Sequence, residues 1–332
     1  MTDDMSPPEQ DLGPSPFHAG EIALQQRVGV HERVEQMGRR MIRDHLVEQH
    51  REFFALLPTL LVAGVDESLM PWATMLAGPP GFITAPDQWQ LHIAARPADD
   101  DPVAASITAG APLGLLGLEP QTRRRNRMNG TVVSCDAGGF TVKVVQSFGN
   151  CPKYIQARDP RWRVESSAKT PPTCGGAVLD AACVARIRAA DTFFVASRSA
   201  DPLNLTATSA GLDISHRGGK PGFVRIDQEH GQSVLVIPDF VGNFLFNTLG
   251  NLLLNPACGL LFVDYAEGGL LHLGGTAELV HEGEDVARFS GAERAWRLRV
   301  EHSLWRPRAL PVTWSAAELA PQLPNTGEWL PT

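Results

Sequence analysis

A set of short patterns occurs twice in this chain, and the repetition constrains the fold more than any single motif. GPPGF (78–82) returns as GKPGF (219–223), 141 residues later. GLLGL (114–118) returns as GLLFV (259–263), and NGTVV (129–133) as GGTAE (274–278), both 145 residues later. Three matches in one order at a nearly constant offset argue for two copies of one domain. The 332 residues suffice for two domains with sizeable cores.

Within each copy the patterns are those of strands. TLLVAGV, QWQLHIAA and FTVKVVQ in the first, and TFFVAS, SVLVIPD, GLLFVDY and LLHLGGTAELV in the second, are rich in β-branched and aromatic residues and are punctuated by Gly, Pro and Asp. Short antiparallel strands at such intervals suit a barrel. Val30, Val34, Met37 and Met41 recur at helical spacing ahead of the first copy, and Leu179, Cys183 and Ile187 ahead of the second. The expectation is a mainly β (α+β) chain of two tandem barrels, each preceded by a helix. Its expected parts are a disordered leader (1–29), a first barrel (30–165), a linker (166–177) around SSAKTPPTCGG, and a second barrel (178–332).

Bulk properties narrow the partners. With 29 basic against 37 acidic residues the formal charge is −8, so neither nucleic acid nor an anionic membrane surface is an expected partner. The longest apolar run (53–65) is too short to cross a bilayer and is interrupted by Pro58 and Gly64. Five cysteines without a CxxC pair or metal-ligand spacing suit reduced thiols, and the acidic, Pro-rich start is unlike a secretory signal, so a cytoplasmic location is expected. His45 and His50 are wrongly spaced for a metal pair on a shared helix face and are assigned to the surface of the first helix. No metal site is expected.

The two copies differ in charge. At the 141-residue offset Met75, Leu76 and Pro79 stand where the second copy has His216, Arg217 and Lys220. In the other direction, TRRRNRMNG (122–130) carries Arg123, Arg124, Arg125 and Arg127 where the second copy has Gly268, Gly269, Leu270 and His272. In DISHRGGKPGF (213–223), Gly218 and Gly219 would let an anion approach the backbone. Arg217 would offer a planar fork, Lys220 a point charge and Ser215 a hydroxyl. The competing reading is a solvated charged turn. In FNTLGNLLLNP (246–256), Asn247, Thr248 and Asn251 share a helical face whose N-terminus would favour an anion; ordinary capping is the alternative.

The succession DISHRGG, PGF, SVLVIPD, FNTLGNLLLNP and GLLFVDY resembles the flavin-nucleotide-binding branch of the pyridoxamine 5′-phosphate oxidase-like proteins. SFGNCPKYIQ (147–156) and RALPVTW (308–314) are similar to stretches near the ends of its barrels, so the resemblance covers roughly 30–314 in two copies. It implies a split β-barrel for each copy and FMN held at an interface between barrels. Arg217 aligns with the residues that hold the FMN phosphate. The family's Ser-Arg-Lys phosphate turn falls on Phe246, Asn247 and Thr248, a departure that removes two cations; His216 and Lys220 are the candidates to compensate. The expected site is therefore Ser215, His216, Arg217, Lys220, Asn247, Thr248 and Asn251 from the second copy, with Arg125 and Arg127 reaching across from the first.

The implied function is an FMN-dependent oxidoreductase acting on a small molecule, one flavin per chain, with a separate reductase or NAD(P)H as electron source. The alternatives are a non-catalytic flavin carrier and a haem-binding split barrel. Cys151, Lys153 and Tyr154 are further candidates to face the flavin. The two copies would form a pseudo-dimer in a monomer, or pair further into a homodimer. No GxSxG elbow, HExxH or P-loop motif suggests another chemistry.

Overall fold

The computed structural model describes residues 13–163, 170–199 and 211–330. Three helices come first, α1 (Ala19–Arg27), α2 (His31–Met41) and α3 (Glu48–Leu56). Seven strands follow: β1 (Thr59–Val65), β2 (Pro71–Ala77), β3 (Ile83–Thr84), β4 (Gln90–Ile93), β5 (Pro112–Glu119), β6 (Arg124–Asp136) and β7 (Gly139–Gly149). They form one antiparallel sheet in the order β2-β1-β5-β6-β7-β4-β3.

After the short strands β8 (Pro160–Trp162) and β9 (Thr173–Gly175), α4 (Ala181–Ala189) leads into a second sheet. Its strands are β10 (Thr192–Arg198), β11 (Leu212–Gly218), β12 (Arg225–Glu229), β13 (Gln232–Asp239), β14 (Ala257–Asp264), β15 (Gly269–Val280) and β16 (Arg294–Arg306). Helix α5 (Asn247–Leu254) lies between β13 and β14, α6 (Glu284–Ala287) follows β15, and β17 (Val312–Trp314) pairs with β8. The second sheet runs β11-β10-β14-β15-β16-β13-β12, the same order as the first. A register irregularity falls at Asn129/Gly130 in one long strand and at Gly274/Gly275 in the other, positions matched by the 145-residue offset.

Each sheet has its own core. Leu60, Phe53, Leu115, Met128 and Phe140 belong to the first, and Phe193, Leu235, Leu260, Trp296 and Leu298 to the second. A third cluster lies between the sheets, where β1, β2 and β5 meet β10, β11 and β14: Leu61, Ala73, Leu116, Phe194, Ile214 and Leu261 are all buried there. Strands buried on both faces explain why TLLVAGV and GLLFVDY read as continuous apolar runs rather than alternating ones. The seam is tight at equivalent glycines. A Cβ at Gly259 would lie 2.3 Å from the Pro71 carbonyl oxygen, and one at Gly114 would lie 3.1 Å from the backbone of Asp213.

Three expectations are corrected. From Gly13 onward the expected leader is folded: His18 and Glu21 form a capping box for α1, and α1 packs on α5 through Gly20 and Gly250. The expected linker contains β9, which pairs with β16, while residues 164–169 lie outside the described residues. His50 is buried on α3, where Nδ1 meets Ser147 Oγ at 3.2 Å, and is not on a helix surface. No helix among the described residues is long and apolar enough to cross a membrane.

Because backbone faces backbone at the seam, Gly259→Ala is expected to lower stability by about 1–3 kcal/mol in urea denaturation. Gly176→Ala, exposed and with nothing within 4 Å of the added carbon, is expected to stay within about 0.5 kcal/mol.

Candidate functional site

Arg127 stands on β6 opposite Leu116 of β5, which aims it across the seam. Only 4 % of its surface is exposed. Nε donates to the Ile214 carbonyl (3.1 Å) and lies 3.0 Å from Asp213 Oδ1; Nη1 donates to Asn247 Oδ1 (2.8 Å), and Nη2 donates to Ser215 Oγ. The Phe148 ring lies beneath the guanidinium at 5.3 Å. A buried guanidinium needs both a counter-charge and acceptors for its N–H groups, and this one draws all of them from the other half of the chain.

The same strand brings Arg125 to the edge of a cleft lined by both halves of the chain. From the first half the cleft takes Arg125, Arg127, Asn150, Cys151, Lys153 and Tyr154. From the second it takes Ser215, His216, Arg217 and Gly218 at the end of β11, the segments 238–244 and 246–249, and Glu293 and Arg294 where β16 begins. Seven of the nine expected site residues therefore converge, and Cys151, Lys153 and Tyr154 join them.

Charge is unevenly paired around the cleft. Asp213 is taken by Arg127. Asp239 lies 2.8 Å from Arg294 and 3.8 Å from Arg217, and Glu293 lies 3.7 Å from Arg294. Arg125 has no carboxylate partner among the described residues, and its Nε is buried without a hydrogen bond. Burial, reinforced by the guanidiniums of Arg127 and Arg217, pushes its pKa down to about 9. Arg217 Nε, Thr248 Oγ1 and His216 Nε2 are likewise buried and unpartnered. His216 is held well below its ordinary pKa, by burial first and then by Arg125, Arg217 and Arg158, so it is a neutral imidazole with a free ring nitrogen. Unsatisfied donors from three elements thus face one cleft, where a ligand could pair them.

The remaining walls are aromatic. Tyr154 and Phe240 pack at a tilt with ring centroids 5.3 Å apart, and the Tyr154 hydroxyl donates to the Val241 carbonyl (3.2 Å), joining the two halves. Phe244 and Phe246 both adopt left-handed backbone, at φ 61°. At the start of α5, Phe246 occupies the cap position without a side-chain capping bond, so the helix presents uncapped N–H groups beside Asn247 and Thr248.

The expected roles change in three respects. Lys220 does not line the cleft; it lies 3.9 Å from Glu328. Asn251 lies beneath α5, donating to Ser197 Oγ (3.1 Å), and does not reach the cleft either. The glycines serve packing rather than anion approach: a Cβ at Gly218 would lie 2.0 Å from the Tyr154 carbonyl oxygen, and one at Gly219 would lie 2.4 Å from the Phe223 ring. The Gly219 amide is spent on the Asp191 carbonyl. Arg294, Asp239 and the phenylalanines of 240–246 are cleft residues that no motif flagged, although Asp239 sits at the end of SVLVIPD, the recognised strand.

The position equivalent to the cleft in the other half holds a buried ion pair. His272, which matches Arg127 by the 145-residue offset, donates from Nδ1 to the Ala73 carbonyl (2.9 Å), just as Arg127 donates to Ile214. Thr74, which matches Ser215, donates to Asp101, and Asp101 is paired with Arg306 at 2.6 Å. These side chains are themselves buried.

No family model and no curated protein matches this chain. Among solved structures it is similar to HupZ from Group A Streptococcus (15% identity, 36% of this chain and 92% of that one, TM-score 0.27). It is also similar to HutZ, the heme storage protein from Vibrio cholerae (12% identity, 39% and 95%, TM-score 0.26). A third similar structure is the K. pneumonia MrkH–c-di-GMP complex (10% identity, 79% and 87%, TM-score 0.21). Similarity at these scores bears on neither the cleft nor its ligand.

Removing Asp213 would leave Arg127 charged and buried, so Asp213→Ala is expected to cost about 3–5 kcal/mol. Glu267→Ala, at an exposed pair with Arg308, is expected to cost under about 1 kcal/mol in the same denaturation assay. His216 has a folded pKa below its unfolded one, so its contribution to stability is complete above pH 6.5 and is lost as the pH falls below that value. His216→Gln should flatten the decline in the denaturation midpoint between pH 7 and pH 5.5.

Proposed function

We propose that the chain is a flavin-mononucleotide-binding protein built of two split barrels, and that its single flavin site is the cleft at their seam. The observation that carries this reading is Arg125: a guanidinium without a counter-charge, facing a cleft together with the unpartnered Nε of Arg217. Around that point five cations (Arg125, Arg127, Lys153, Arg217, Arg294) face three carboxylates (Asp213, Asp239, Glu293), an excess that suits a dianionic phosphate monoester. Arg125 and Arg217 would hold the phosphate, with Thr248 and the first amides of α5 as further donors. Tyr154, Phe240, Phe244 and Phe246 supply flat apolar surface for a ring system.

Two split barrels of common origin, spanning 30–165 and 178–332, account for the shared strand order and for the seam. The matching position beside His272 holds the ion pair of Asp101 and Arg306, which supports one site per chain. A bound flavin nucleotide would supply hydride and electron transfer; the chain's own part is to bind the phosphate, exclude water from the seam and set the charge around the ring. An oxidoreductase role with NAD(P)H or a separate reductase as donor, on a small-molecule substrate in the cytoplasm, completes the reading. The internal pairing of halves is consistent with a monomer.

A second reading, haem in the same cleft, is favoured by one observation: the neutral His216 has an unpartnered Nε2 that would hold an iron. Absorption spectra separate the two. Titration of FMN, followed by quenching of its fluorescence, is expected to saturate at one equivalent per chain. Arg125→Ala and Arg217→Ala should each weaken binding by about 10- to 100-fold, the effect of about 1.5–3 kcal/mol for a charged hydrogen bond. Two equivalent sites would contradict the single-site reading. Absence of quenching together with a Soret band on addition of haem, lost in His216→Ala, would replace flavin with haem. Reduction by NAD(P)H no faster than that of free FMN would make the protein a carrier rather than an enzyme.

A further inference from the structure

Glu21 is a carboxyl group buried to 3 % exposure, which is rare for a glutamate. Its helix, α1, is pressed against α5 so closely that a Cβ at Gly20 would lie 2.1 Å from the Gly250 carbonyl oxygen. The contact delivers the carboxyl group to the root of the cleft. Glu21 Oε2 accepts from the His18 amide (2.9 Å), and Oε1 accepts from Asn247 Nδ2. The same Asn247 side chain turns its oxygen to Arg127 Nη1 (2.8 Å). One amide thus connects the carboxyl group of α1 to the guanidinium that spans the seam.

We propose that Glu21 is a positioning residue for the anion cleft, coupling the affinity of its arginines for phosphate to proton concentration through Asn247. The inference rests on the reading of the cleft as a phosphate-binding site. The charged and titratable groups facing Glu21 are His18 at the start of its own helix, Arg127 on β6 and Asp213 on β11; α5 contributes none. Burial keeps His18 below its ordinary pKa, so it carries no charge to balance an ionised Glu21. Burial raises the Glu21 pKa to about 8, and the nearby Asp213 adds to that effect, while the His18 amide, Asn247 and Arg127 oppose it.

Protonated, Glu21 leaves Arg127 balanced by Asp213 alone, and the excess positive charge of the cleft is available to a dianion. Ionised, it places a second carboxylate beside Arg127 and cancels one unit of that excess. A bound dianion in turn disfavours ionisation of Glu21, so binding above its pKa takes up a proton and affinity must fall as pH rises.

The test is the dissociation constant of FMN from pH 7 to pH 9, where a phosphate monoester is already dianionic. The full-length protein is expected to lose about tenfold in affinity over this range. Glu21→Gln, which fixes the neutral form, is expected to hold its own pH 7 affinity to pH 8 and to lose no more than about twofold by pH 9, where Arg125 begins to lose its proton. Calorimetry of the unmodified protein at pH 8.5, in two buffers of different ionisation enthalpy, should show uptake of a fraction of a proton, and this arm needs no variant to fold. Parallel declines in the two proteins would assign the effect to another group, Arg125 being the candidate, and overturn the proposal. A flat profile without proton uptake overturns it as well. Absence of FMN binding at every pH would overturn the flavin reading and this proposal with it, whereas the other two failures leave that reading intact.

Discussion

A guanidinium buried between two sheets must be neutralised where it lies, and Arg127 meets that requirement only if the halves of the chain stay together. Its counter-charge, Asp213, and its acceptors on Ile214, Ser215 and Asn247 all belong to the second half. The pairing fixes the depth at which β6 meets β11 and holds the first turn of α5 against the seam. It also consumes Asp213. With that carboxylate spent, Arg125, two residues along the same strand, is left facing the cleft without a partner.

The halves share strand order, the position of a strand irregularity and the close glycine contacts, yet they treat the seam differently. Arg127 and His272 occupy matching positions and donate to matching carbonyls, but one is a permanent cation and the other a buried imidazole. Burial and Arg306 hold His272 below its ordinary pKa, against the opposing pull of Asp101, so it needs no carboxylate of its own. Asp101 is then free to pair with Arg306. One half therefore presents an open cationic cleft and the other a buried ion pair. On the proposed function, this difference is what divides ligand binding from support.

Much of the β architecture was legible because the strands are buried on both faces or alternate cleanly, as in TLLVAGV, SVLVIPD and GLLFVDY. The repeat offsets were legible because glycines are pinned where backbones touch, as Gly114 and Gly259 show. The charge contrast between copies also led to the cleft. Less visible was the use of each charge. Lys220 and Arg217 are three residues apart in one turn, but β11 ends between them, and only Arg217 faces the cleft. Asn247 and Asn251 do share a helical face, yet one meets Arg127 and the other Ser197. The folded state of α1 was hidden because its anchor is tertiary: Gly20 against Gly250 and Glu21 against Asn247, contacts some 230 residues apart that leave no local periodicity.

On the proposed function, Arg125, supported by its neighbours across the seam, is the centre of an anion site shared by both halves. The most direct test is the 31P NMR spectrum of FMN with one equivalent of protein. The account predicts a single broadened phosphate resonance displaced from that of free FMN, returning toward the free position in Arg125→Lys, which keeps the charge but loses the planar fork. A resonance at the free position while the flavin's visible spectrum changes would place the phosphate in solvent and contradict the account.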